Sequence, residues 1–144
     1  MNSLKLTRHE MRVRALQALF SLEYNDTISI DEAILFAVTY DQLDEELTVD
    51  EISMQELTQF VAGIVDNREK IDQMIAPHLI RWTVNRLPKV DLTILRMAIY
   101  EMMQSIAAPI AISESIQLAK TFSDDKSRRF INAVLNNVKE SIEE

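Results

Sequence analysis

Glycine occurs once in this sequence, proline three times and cysteine not at all. A sheet protein needs turn residues every few positions, and they are absent, so the fold class is all-α. A single glycine also removes the phosphate-cradling loops built on G-x-G-x-x-G or the P-loop pattern. Without cysteine there are no disulfides, no thiolate zinc sites and no thiol catalysis. The N-terminus lacks the apolar core of a signal peptide. The longest apolar run, Ile106–Ile112, is far short of a membrane span. The expectation is a cytoplasmic protein that does not enter a membrane.

Positive charge is scarce where negative charge is dense. No Lys or Arg occurs between Arg14 and Arg68, whereas 11 acids lie from Glu23 to Glu56. A formal net charge of −8 argues against general nucleic-acid binding. The cations gather instead in two short groups: Lys5, Arg8, Arg12 and Arg14 near the N-terminus, and Lys126, Arg128 and Arg129.

What is present is helical patterning. With 47% apolar residues, 144 residues can bury a core as one domain or as two small subdomains. The most apolar stretch runs from Val90 to about Ser105. On a helical wheel Thr93, Arg96, Tyr100 and Gln104 form a narrow polar stripe, and Leu92, Ile94, Leu95, Ala98, Ile99, Met102 and Met103 cover most of the rest. A helix apolar nearly all round is buried among others, so this stretch should be a central post.

Capping boxes at Thr7–Glu10, Ser29–Glu32 and Ser53–Glu56 mark three helix starts. Helix 1 extends to about Tyr24, helix 2 to about Tyr40 and helix 3 to about Met74, carrying Gly63 where another helix should approach closely. Asp41–Asp50 reads as a solvated acidic linker. Pro77 suits the first turn of a short helix 4 with His78, Leu79 and Trp82. Asp91 stands at the start of the central helix, as its N-cap or in its first turn. Helix 6 covers about Ala111–Phe122, and helix 7 starts near Lys126. About seven helices are expected.

On helix 1, Arg8, His9, Arg12 and Phe20 lie along one flank, with Arg14 pointing elsewhere. Guanidinium groups beside an aromatic ring suit single-stranded RNA, the first for phosphate and the second for unpaired bases. The same residues also suit a solvated helix start with Phe20 in the core. Lys126, Arg129 and Phe130 pose the same pair of readings. No catalytic set is evident: His9 and His78 stand on separate elements, in no metal-binding pattern. No enzyme activity and no cofactor are expected.

Several segments together resemble the NusB family of bacterial transcription antitermination factors. They are Arg8…Arg12…Ala15–Phe20, Phe60–Ile64 with Asn67, Ile71 and Asp72, Val90–Glu101, Pro109…Ala111–Phe122, and Phe130–Leu135. Their order and spacing span nearly the whole chain. The resemblance implies two small helical bundles sharing a core, an N-terminal one of about residues 1–75 and a C-terminal one of about 76–144. It implies a ribosomal protein partner, NusE, and a boxA single-stranded RNA element in ribosomal RNA leaders. It also implies action on the RNA polymerase elongation complex with NusA and NusG.

By position, the family's RNA-contacting residues fall on Arg8, His9, Arg12, Arg14 and Phe20, and on Lys126, Arg128, Arg129 and Phe130. The partner surface falls on His78, Asp91 and Glu101, and Asp91→Lys should then weaken the partner complex more than the fold. The family's usual Asn-Gly in helix 7 is Asn132-Ala133 here, and its Asn-Glu in helix 6 is Ser113-Glu114. Two other readings compete. One is a relative of the RNA-binding N-terminal part of ribosomal RNA cytosine methyltransferases; the other is a helical interaction module that binds no RNA.

Overall fold

The computed structural model describes residues 2–39 and 47–143, and most of the acidic linker, residues 41–46, lies outside them. Among the described residues there are seven α-helices: α1 (Arg8–Tyr24), α2 (Ile30–Thr39), α3 (Glu51–Asp66), α4 (Arg68–Ile75), α5 (Lys89–Met103), α6 (Ala108–Phe122) and α7 (Asp125–Glu143). The chain forms two compact units, Met1–Gly63 and Ile64–Glu144, and the division falls within α3.

In the first unit the Thr7 hydroxyl accepts from Glu10 N–H at 3.0 Å, and the Glu10 carboxylate accepts from Thr7 N–H at 3.2 Å. Ser29 and Glu32 form the same reciprocal pair before α2. The third box is not the cap of α3. Asp50 lies three residues before Ser53 and accepts its N–H at 2.7 Å, so α3 starts earlier, at Glu51. Ser53 is instead buried, and its hydroxyl accepts from Leu6 N–H at 3.1 Å.

The buried stripe of α1 (Met11, Ala15, Leu16, Ala18 and Leu19) faces the stripe of α2 (Ala33, Ile34, Ala37 and Val38). Two strands that the sequence did not signal, β1 (Asn2–Leu4) and β2 (Leu47–Val49), pair in parallel with Asn2 opposite Leu47. Asp50 N–H donates to the Leu4 carbonyl and prolongs that ladder into the start of α3.

In the second unit α5 is the post its composition indicated. Asp91 to Ile99 are buried without interruption, and α4, α6 and α7 all pack against α5. Its polar stripe is largely internal. Thr93 Oγ1 donates to the Lys89 carbonyl, and Arg96 makes a two-point ion pair with Asp72 of α4, Nε to Oδ1 and Nη2 to Oδ2, each 2.8 Å. This assigns Arg96 to joining α4 and α5.

Other helix boundaries also differ from expectation. Helix 3 breaks at Asn67, giving α3 and α4. The expected helix 4 is only a 3₁₀ turn at Ala76–His78. Arg81 then takes a left-handed φ of 71°, and Ile80 and Trp82 are exposed. The β-branched and aromatic residues of this segment favour helix weakly, which lets the chain leave it. Pro109, expected between helices, sits in the first turn of α6, where its missing N–H costs nothing.

Candidate nucleic-acid interface

The first candidate surface is the start of α1. The capping box fixes the helix origin and holds Glu10 back toward Thr7. Arg8 and His9 are exposed there, Lys5 is exposed just before them, and Arg12 is half-buried one turn on. Arg14 does not join this group. Its Nη1 donates to the Ala37 carbonyl at 3.0 Å, so it serves the C-terminal turn of α2, where a cation is favoured.

Phe20 is half-buried rather than a core residue, and its ring meets Tyr24 with centroids 4.9 Å apart at 55°. Tyr24 is 68% exposed. The sequence reading missed Tyr24, although its spacing of four from Phe20 was the available signal.

The second surface is the start of α7. Asp124 accepts the Ser127 N–H at 2.8 Å and starts the helix. That bond and the Ser127 hydroxyl, with nearby Lys126, hold the Asp124 carboxyl below its ordinary value of 3.8. Asp50 is lowered in the same way by Ser53. A carboxyl with a depressed folded-state pKa contributes stability that is present above its unfolded value and lost as pH falls through the folded value. Stability should therefore fall below pH 3.8, and Asp124→Asn, which still caps, should make that fall shallower. Urea unfolding on both sides of this pH checks the point, and an unchanged acid limb would remove Asp124 from it.

Lys126 and Arg129 are exposed, Phe130 is half-buried, and Arg128 is half-buried in an ion pair with Asp125. The structure thus keeps two cations exposed at this helix start, beside a half-buried Phe130.

The positions that the resemblance gave to a protein partner are placed differently. Asp91 is 3% exposed, and its carboxylate accepts from Ser123 Oγ at 3.0 Å and Ser127 Oγ at 2.7 Å. It ties the first turn of α5 to the turn between α6 and α7. Glu101 is also buried, near the other end of α5. His78 is half-buried, with Nε2 3.4 Å from Ser141 Oγ of α7. Only His78 has side-chain surface to offer directly.

Among the described residues no three His, Asp or Glu side chains are grouped to hold a metal. No described helix is long and apolar enough to cross a membrane.

The fold is predominantly helical, with exposed cations at the starts of α1 and α7, and defines a helical protein with no grouped metal ligands among its described residues. The NusB family model matches residues 9–140, and the chain belongs to the NusB family. It is 39% identical to transcription antitermination protein NusB of Enterococcus faecalis, covering 99% of this chain and 96% of the relative. It is 40% identical to the Bacillus subtilis protein of the same name, covering 96% and 99%. The fold is shared with T. maritima NusB at a TM-score of 0.80 and 29% identity, over 98% of this chain and all of that one. It is also shared, at a TM-score of 0.76 and 21% identity, over 94% of this chain and 99% of that one, with a chain from a crystal structure of antitermination factors NusB and NusE in complex with double-stranded RNA.

Proposed function

We propose that this chain is a non-catalytic transcription antitermination factor of the cytoplasm. It pairs with the ribosomal protein NusE and binds a boxA-type single-stranded RNA in ribosomal RNA leader transcripts. With NusA and NusG it then keeps the RNA polymerase elongation complex processive. Family membership and the names of the full-length relatives support the antitermination role. The NusB–NusE complex of the same fold, which holds double-stranded RNA, supports NusE and RNA as the kinds of partner.

The observation that carries the RNA reading is the start of α1, where Arg8 and His9 are exposed and Arg12 follows one turn later. Guanidinium groups bind phosphate, and toward the other end of α1 the exposed Tyr24, packed on Phe20, suits stacking with an unpaired base. The α7 start adds Lys126, Arg128, Arg129 and Phe130. Arg14, engaged with α2, is left as a support. In the partner surface, His78 is the direct contact, and Asp91 acts from within by holding the first turn of α5, with Glu101 buried near the other end. An acidic chain reaches RNA in this scheme because NusE brings basic surface of its own.

Arg8→Ala with Arg12→Ala should weaken RNA binding by the complex with NusE roughly a hundredfold, at about 1.5 kcal/mol for each charged hydrogen bond removed. It should also flatten the salt dependence, by about 0.7 in log–log slope for each phosphate no longer engaged. Fluorescence anisotropy with a labelled boxA RNA measures both. Superimposable titrations for parent and variant would remove Arg8 and Arg12 from the interface.

A further inference from the structure

Between α6 and α7, within the second unit, lies an open groove of about 350 Å³. That is the low end of the size range of small-ligand sites. Ile112 and Ile116 supply its apolar floor, and Ser113, Gln117, Asn132, Asn136 and Lys139 supply its polar walls. In a chain with a net charge of −8, none of the described lining residues is acidic.

Asn136 Nδ2 donates to Asn132 Oδ1 at 3.1 Å and to the Asn132 carbonyl at 2.8 Å. That donation orients the two amides and leaves Asn136 Oδ1 as an acceptor and Asn132 Nδ2 as a donor, the combination that reads a base edge. Arg128, Asn132, Asn136 and Lys139 are spaced by four, four and three along α7, so they form one stripe. At 1.5 Å per residue, the stripe runs about 16 Å from Arg128, which is paired with Asp125, to the cation Lys139.

We infer that the groove between α6 and α7 is a subsite for unpaired nucleotides, continuing the RNA path from the basic start of α7. This rests on the RNA-binding reading above. The alternating chemistry fits a single strand. Lys139 faces a phosphate at the far end, the amides of Asn132, Asn136 and Gln117 take base edges, and the isoleucine floor lies under the base planes. A folded protein partner would leave the Lys139 ammonium and the paired amides in need of specific acceptors and donors.

The test uses the complex of this chain with NusE and two single-stranded RNAs. One carries the boxA element alone and the other is extended by several nucleotides at each end. The extended RNA should bind roughly tenfold tighter, the order of one charge-assisted hydrogen bond. Lys139→Ala with Asn136→Ala should erase that gain and leave the short RNA unaffected. Ser113→Glu, on the facing helix, should erase it independently by repulsion. Equal affinity of the parent for the two RNAs would overturn the inference, as would variants that keep the gain. Loss of NusE affinity in the variants without RNA, with the gain intact, would make the groove a protein surface instead. If neither RNA binds the parent complex, the RNA-binding reading itself fails, and the subsite with it.

Discussion

Asp91→Lys should cost the fold about 3–5 kcal/mol, a large part of the 5–15 kcal/mol that holds an ordinary domain together. Asp91 is buried at the first turn of α5, and both of its oxygens are engaged by the hydroxyls of Ser123 and Ser127. Lysine would strand an ammonium there and leave two hydroxyls facing it. Asp91→Asn keeps an acceptor for one serine and a donor for the other, so its cost should be nearer 1 kcal/mol.

Denaturant unfolding of the two variants separates the roles. If Asp91→Lys unfolds like the parent but no longer binds NusE, Asp91 is a contact residue and its internal bonds are incidental. The expectation drawn from the resemblance, that the partner complex would suffer more than the fold, is reversed by this burial.

Asp72→Ala is the second large effect. The Arg96 guanidinium is 10% exposed and meets Asp72, 26% exposed, through two 2.8 Å bonds. Removing the carboxylate takes the bidentate acceptor away from a nearly buried cation, at an expected cost of about 3 kcal/mol. Replacing both residues, with Arg96→Met and Asp72→Leu, should recover much of the loss, because an apolar pair of similar volume carries no desolvation penalty. Thermal unfolding of the single and double variants forms the test. A double variant less stable than Asp72→Ala would show that the pair is not the reason α4 and α5 stay together.

The two cases show which parts of the molecule were legible in advance. The central position of α5 was readable because it depends only on how many faces of one helix are apolar. The boxes at Thr7–Glu10 and Ser29–Glu32 were readable because each closes within four residues. The box at Ser53 misled for the same local reason: Asp50, also a good cap, lies one turn earlier and takes the Ser53 N–H. The break at Asn67 was hidden because Ile64, Ile71 and Ile75 keep helical phase across it, and all three are buried.

Long-range pairings carried no sequence signal. Asp72 and Arg96 are 24 residues apart, and Asp91 lies 32 and 36 residues from its two serines. Nothing in the spacing of Arg14 announced the Ala37 carbonyl. On α1, Arg8 and His9 are exposed, Phe20 is half-buried and Tyr24 is exposed near the C-terminal end; periodicity gives their directions but not what they bind. The spacing of the polar stripe of α5 names no partner for Arg96; packing against α4 supplies Asp72.

The most direct measurement of the central claim is a salt series of RNA titrations, with labelled boxA RNA added to this chain alone and to its equimolar complex with NusE. The account predicts tighter binding by the complex, with log affinity falling linearly in log salt by about 0.7 for each phosphate engaged. Affinity that is the same with and without NusE, or indifferent to salt, would contradict it.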